Sequence, residues 1–281
     1  MSIMYLNGQF IDEQNAVVSV NDAGYYYGDG IYEYVFVYNE KLIDVDWHLD
    51  RLMASLQKAY IKNCPSKEEI LNIMKTLIEK NNEIKIGSIY LQITRGIAPR
   101  THKFFALNLQ PQIMMKFSPE KLPTKPAEWK CGVVNDPRRT RRDIKMTSLM
   151  PMVLSKYDVE AKGFDDVIYF NKDLNSITEG CSFNVWMVDN KGTLITAPLG
   201  EEILAGITRK RLIEIAKESG YKVEERYFTK EEFYSASEAF ASDSGDFVAS
   251  IIDVDNKQIG DGKTGKITQD LFEKYIKFVK E

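Results

Sequence analysis

Cysteine and histidine are scarce in this chain. Among 281 residues there are three cysteines (Cys64, Cys131, Cys181) and two histidines (His48, His102). The thiols are odd in number and show no Cys-x-x-Cys spacing, which excludes both a disulfide framework and a zinc site. Two distant histidines are too few for most histidine-based metal centres, so no metal is expected. Basic excess is missing too: the net charge is −4 at pH 7 and the pI is near 5.5. Nucleic-acid binding usually shows as a basic footprint, so no nucleic acid is expected as a partner. No apolar run approaches the roughly 20 residues that span a bilayer, so no membrane is expected. Met1-Ser2-Ile3-Met4-Tyr5 shows neither the basic start nor the apolar stretch of a secretory signal. A cytoplasmic protein is the expectation. Internal repeats and low-complexity tracts are lacking, and so is a dinucleotide fingerprint, since Gly28-Asp29-Gly30 is not Gly-x-Gly-x-x-Gly.

What is present is ordinary globular composition, 44% hydrophobic and 28% charged, in a length that suits one or two domains. The first part reads as strand-rich. Ile3 to Asp12 carries an Asn7-Gly8 hairpin signal. Residues 16–20 and 31–38 read as strands, with a glycine-punctuated loop over 22–30 between them. Helices are predicted over 46–60, with Leu49, Leu52, Met53 and Leu56 at helical spacing, and over 66–80, with Ser66 and Glu69 as a capping box. Strands follow at 89–94 and 112–117. Three prolines between 119 and 126 resist helix and central strand, so the domain boundary is placed there. The expected domains are 1–120 and 121–281. The second half mixes helices (153–162, 207–219, 264–280) with strands (166–170, 183–188, 221–225, 239–241, 247–254). Strands in runs with helices beside them define an α+β class.

One amine and one carboxylate stand out. Lys145 follows the basic run Arg138-Arg139-Thr140-Arg141-Arg142, and Glu179 opens Glu179-Gly180-Cys181-Ser182-Phe183-Asn184. Such a pair suits pyridoxal 5'-phosphate (PLP): the lysine would hold the aldehyde carbon, and the carboxylate would pair with the pyridine nitrogen. Taken singly, most lysines and glutamates are solvated surface residues, and a basic run is usually a wet face or an anion patch. A phosphate would also need a site. Gly206-Ile207-Thr208-Arg209 opens the 207–219 helix, where free N–H groups and the Thr208 hydroxyl make a cradle. The plainer reading is that Thr208 caps its helix. Ser244, in Ser242-Asp243-Ser244-Gly245, and Arg51 are further candidates. Asp243 is awkward beside a dianion, and Arg51 has Asp46 and Asp50 near it as surface partners.

Six ordered blocks together resemble the class IV (fold type IV) PLP-dependent aminotransferases. They are Gly28-Asp29-Gly30-Ile31-Tyr32-Glu33, His48-Leu49-Asp50-Arg51-Leu52, Thr94-Arg95-Gly96, Asp143-Ile144-Lys145, Thr178-Glu179-Gly180 through Asn184, and Gly206-Ile207-Thr208-Arg209. The resemblance implies a small N-terminal α/β domain, a larger C-terminal domain and PLP in the cleft between them. It implies that Lys145 carries the cofactor, that Glu179 meets the pyridine nitrogen, that Arg51, Ile207, Thr208 and Ser244 line the phosphate, and that Ser182 lies near the cofactor. It also implies a homodimer with shared active sites.

Within the family the likeness is nearest to D-amino acid aminotransferase. Tyr32, Arg100 and His102 resemble that enzyme's carboxylate-binding residues, and the loop holding Arg100-Thr101-His102 is implied to reach the partner subunit's site. Transamination between D-amino acids such as D-alanine or D-glutamate and 2-oxo acids (2-oxoglutarate, pyruvate) is therefore the implied activity. A branched-chain L-amino acid aminotransferase is the alternative, and an aminodeoxychorismate lyase a further one. The branched-chain Phe-Glu-Gly-Ile-Arg strand reads Tyr32-Glu33-Tyr34-Val35-Phe36 here, and the lyase's Phe-Thr-Thr signature is missing.

Overall fold

Asn7 and Gly8 both take positive φ, 48° and 93°, and turn the chain back on itself as a two-residue hairpin requires. That hairpin opens the first of two compact units in the computed structural model, which describes residues 2–104, 107–138 and 140–281. The first unit comprises Met1–Leu122 and Ile144–Leu149; the second comprises Pro123–Asp143 and Met150–Glu281. The segment carrying Lys145 thus belongs with the N-terminal part of the chain, although it lies beyond the proline-rich boundary.

In the first unit the elements are β1 (Ile3–Leu6), β2 (Gln9–Asp12), α1 (Ala23–Tyr27), β3 (Gly30–Tyr38), β4 (Lys41–Leu42), α2 (Val45–Lys58), α3 (Lys67–Lys80), β5 (Ile86–Thr94) and β6 (Gln112–Pro119). The six strands form one sheet in the order β2-β1-β6-β5-β3-β4, antiparallel throughout. Side chains alternate across a strand. Ile31, Val35 and Val37 of β3 therefore join Ile89, Leu91 and Ile93 of β5 in a core with Leu49, Leu52 and Leu56 of α2 and Ile70, Met74 and Leu77 of α3. Tyr32, Tyr34 and Phe36 alternate with that set and take the other face. The predicted capping box forms at the start of α3, with Ser66 and Glu69 bonding reciprocally. Two expectations are corrected. Residues 16–20 form no strand: Val17, Val18 and Val20 are exposed, because no neighbouring strand pairs with them. The 22–30 loop contains α1, capped by the Asp22 carboxylate on Gly24 N–H and ended by left-handed Gly28.

The second unit runs β7 (Glu128–Asn135), α4 (Met150–Glu160), β8 (Asp166–Asn171), β9 (Ser176–Gly180), β10 (Asn184–Val188), β11 (Leu194–Thr196), α5 (Ile207–Glu218), β12 (Val223–Glu225), α6 (Lys230–Tyr234), β13 (Glu238–Asp243), β14 (Phe247–Val254), β15 (Lys257–Gln258) and α7 (Lys266–Lys280). Its sheet has the order β12-β11-β10-β13-β14-β7-β8-β9, with β15 on β14. A further pairing of β9 with β10, Glu179 opposite Asn184, closes the strands from β10 round to β9 into a ring. The ring interior is apolar, built from residues such as Ile168, Ile177, Val185, Ala241 and Ile251. Both β9 and β10 are buried along their whole length.

Candidate active site

Lys145 is held beside β3 by backbone bonds. Its carbonyl accepts from Tyr32 N–H at 3.0 Å, Thr147 N–H donates to the Gly30 carbonyl at 2.9 Å, and the Thr147 hydroxyl donates to the Gly28 carbonyl at 2.8 Å. Gly28 allows this approach. Its φ is +62°, and a Cβ there would lie 2.9 Å from Ser148 Cα. The Gly28-Asp29-Gly30 block therefore positions the lysine segment. The Lys145 ammonium lies 4.2 Å from the centre of the Tyr32 ring, a cation–π contact. No acidic partner is found for Lys145 among the described residues.

Behind this face, Glu33 points into the helix side and is fully buried. Arg51 Nε and Nη2 donate to its two oxygens at 2.7 Å each, and His48 Nδ1 lies 2.8 Å from Oε2. Burial alone would raise the Glu33 pKa, but the Arg51 charge and hydrogen bonds, with those of His48, bring it down to about 2. Burial pushes the His48 pKa down; Glu33 opposes this, while the charges of Arg51 and Lys145 add to it. Asp46 and Asp50 were the surface partners considered for Arg51. Asp50 pairs with Lys67, and Arg51 meets an acid on the adjacent strand. His48 and Arg51, three apart on α2, were the available sequence signal for this cluster.

Arg100 and His102 come together on Tyr27 of α1. The Arg100 guanidinium carbon is 5.5 Å from that ring's centre, and the His102 ring is 5.4 Å away. The Tyr27 hydroxyl is buried and has no hydrogen-bond partner among the described residues. Tyr27 is thus the aromatic neighbour of both Arg100 and His102, a residue the sequence reading missed. Tyr32 contacts Lys145 and Tyr90 instead.

In the second unit, Glu179 ends β9 deep in the sheet. Its Oε1 accepts from Arg138 Nη1 at 2.5 Å, and Oε2 accepts from Leu204 N–H at 2.8 Å and from Asn184 Nδ2 at 3.5 Å. Burial raises the Glu179 pKa; Arg138 and the Leu204 N–H oppose that without cancelling it. The basic run is not a free anion patch. Arg138 and Arg142 both pair with Asp136, and Arg142 also pairs with Glu202. Arg141 pairs with Asp143. Carboxylates from the same segment (Asp136, Asp143) and from elsewhere in the chain (Glu179, Glu202) pair with these arginines. Arg139 lies outside the described residues.

The start of α5 has the form of an anion cradle. Gly206 is its N-cap, with no side-chain cap bond, and a Cβ on Gly206 would fall 2.0 Å from Asn184 Oδ1. The first-turn N–H groups of Ile207 and Thr208 are therefore left without a side-chain cap. Thr208 does not cap its helix; its hydroxyl donates to the Asp243 carbonyl at 2.8 Å, which joins α5 to the end of β13. Ser244 follows in the same turn. Asp243 folds its own carboxylate back onto the N–H groups of Gly245 and Asp246. Burial lifts its pKa to about 6 against those two bonds. Ser182 is exposed in the turn after β9. Within the second unit, a buried acid and a glycine-started helix have the chemistry to meet a ring nitrogen and a phosphate; within the first, Lys145, with no acidic partner among the described residues, has the amine an aldehyde needs.

The profile of the Amino-transferase class IV family matches residues 30–254, and the chain belongs to that family. Its two-unit α+β architecture is that of fold type IV. The likeness to individual members runs end to end. A D-alanine aminotransferase of Staphylococcus haemolyticus is 35% identical over 282 residues, spanning 99% of this chain and 98% of its own length. One from Staphylococcus aureus (strain N315) is 36% identical over 284 residues, spanning 98% of each. Among solved structures, the branched-chain aminotransferase of Thermoproteus uzoniensis with norvaline has a TM-score of 0.88 at 26% identity, covering 99% of this chain and 94% of that one.

Proposed function

We propose that this enzyme transfers amino groups between D-amino acids and 2-oxo acids with PLP as cofactor. The observation that carries the reading is the full-length identity of 35% to a D-alanine aminotransferase, against 26% for the branched-chain structure. Lys145 would hold the cofactor, Glu179 would face its ring nitrogen, and Arg51, Ile207, Thr208 and Ser244 would bind its phosphate, with Ser182 close by. When bound, PLP supplies an electron sink for charge developing at the substrate α-carbon. The chain's own groups do the rest. Lys145 Nζ would take the proton from the substrate α-carbon and release it at a different carbon, as amino transfer requires. The Tyr32 ring keeps that amine on one side of the sheet. Tyr32, Arg100 and His102 hold the substrate carboxylate, the guanidinium through paired hydrogen bonds. Arg100 and His102 against the Tyr27 ring, whose buried hydroxyl has no hydrogen-bond partner among the described residues, support an anion at that cluster.

A homodimer with shared sites is part of the proposal. Met150, Val153, Leu154 and Tyr157 lie at one-face spacing on α4 and are 56–70% exposed, an apolar stripe that a second copy would cover. No described helix is long and apolar enough to cross a membrane, and we place the enzyme in the cytoplasm. Purified enzyme assayed with D-alanine, D-glutamate and L-leucine, each with 2-oxoglutarate, tests the reading. Turnover of the D-substrates supports it; turnover of L-leucine alone replaces it with the branched-chain reading, which the fold neighbour favours. Pyruvate released from aminodeoxychorismate without an acceptor would make it a lyase.

A further inference from the structure

Glu179 ends a chain of buried ion pairs that no part of the proposed reaction uses. Arg138 grips Asp136 with Nε and Nη2, at 2.9 and 2.7 Å, and reaches Glu179 with Nη1. Its guanidinium carbon is stacked 4.4 Å from the Tyr169 ring centre. Arg142 Nε lies 2.8 Å from the same Asp136 Oδ2, and Arg142 Nη1 reaches Glu202, which Asn171 also bonds. Counting the described ion pairs, this network has two cations (Arg138, Arg142) and three carboxylates (Asp136, Glu179, Glu202). It is one positive charge short, and a buried carboxylate in deficit draws a cation or a proton. Three donors reach Glu179 where a carboxylate has capacity for about four.

We propose that Arg138, anchored by Asp136, is a positioning residue that fixes the Glu179 carboxylate and biases the proton shared with the cofactor's ring nitrogen toward the ring. The inference rests on the PLP reading above. The physical argument concerns one proton and two bases. A guanidinium bonded to Oε1 makes the carboxylate the weaker base, so the proton stays on the nitrogen. A protonated ring then supplies the missing positive charge and brings the network to neutrality. Without Arg138, burial favours a neutral Glu179, and the proton moves off the ring. Lysine would keep the charge but not the three-pronged bridge between two acids.

The test is the ¹⁵N resonance of ring-labelled PLP bound to the full enzyme, with PLP affinity measured alongside. Wild type and R138K are expected to show a protonated ring, R138K with weaker binding. R138Q is expected to show an unprotonated ring and at least about tenfold weaker PLP binding. Should R138Q fail to fold, the double variant R138M/D136N removes the opposite charges together and is expected to give the same unprotonated signal. A ring that stays protonated in R138Q, or in R138M/D136N where that variant is read instead, overturns the inference at any affinity and leaves the cofactor reading standing. A wild-type enzyme that binds no PLP overturns both.

Discussion

Arg51 and Glu33 meet edge to edge, two hydrogen bonds of 2.7 Å between one guanidinium and one fully buried carboxylate. The pair crosses from α2 to β3 and fixes the strand that carries Tyr32. Removing the Glu33 charge takes this ion pair from Arg51 and a charged hydrogen-bond partner from His48. Glu33→Gln is expected to cost about 3–5 kcal/mol, read by urea unfolding at neutral pH.

The same pair sets an acid limit. Glu33 has an ordinary value of 4.5 and is held at about 2 when folded, so the unfolded chain binds its proton first. This stability is complete above pH 4.5 and is lost as pH falls toward 2, a loss of about 3 kcal/mol. His48, also depressed, acts in the same direction from its own ordinary value of 6.5 downward. Unfolding followed from pH 7 to pH 3 is expected to show a shallower slope in Glu33→Gln than in wild type. Equal slopes would remove Glu33 from the account.

Gly28→Ala tests the placement of the lysine. The new methyl meets Ser148 in a left-handed conformation, at a cost of about 1–3 kcal/mol. The 144–149 segment should shift, so PLP uptake is expected to fall along with thermal stability. Gly163→Ala, also left-handed but with open space around it, serves as the control that should lose stability alone.

Lys145→Ala is expected to lose the absorbance of lysine-bound PLP and roughly 10²–10⁴-fold in turnover from the missing proton carrier alone. A variant that keeps both would end the PLP reading. Arg100→Ala is expected to raise KM for D-alanine roughly 10- to 100-fold, the loss of a charge-assisted hydrogen-bonded contact. An unchanged KM would take the Tyr27 cluster out of substrate binding.

Asp243 gives a prediction of opposite sign. Its folded pKa near 6 is above its ordinary 3.8, so the folded state binds that proton more tightly and the charged form weakens the fold as pH rises through 6. Asp243→Asn retains an oxygen for the Gly245 and Asp246 N–H groups. It is expected to stabilise the apo-protein above pH 6 and to tighten PLP binding several-fold, since no carboxylate then stands beside the phosphate. Weaker PLP binding would show that the charge is needed there.

The long helices and the β3–β5 core were legible because their apolar residues repeat at 3.6 or 2; the five-residue helices α1 and α6 are too short to show such a repeat. The strands β7 and β9 were not. Ser176-Ile177-Thr178-Glu179-Gly180 has one large apolar residue, and its burial comes from ring closure between distant segments. Lys145, Glu179 and Thr208 could be picked out as residue types in ordered blocks. Other groupings could not, because Glu33 meets Arg51, and Tyr27 meets Arg100 and His102, only through strand register and loop return. The basic run shows the limit most clearly: its positive charge is visible in sequence, and its neutralisation by Asp136, Glu179 and Glu202 is not.

The seam between Glu179 and Asn184 has one more consequence. Slipping a strand by one residue turns its side chains to the opposite face. Where the last strand is bonded back to another in the circuit, slippage at one joint has to propagate through every neighbour. The acid that would meet the cofactor's nitrogen is therefore aimed by the entire hoop of backbone, and redesign of this enzyme can alter loops and pockets freely while that carboxylate keeps its bearing.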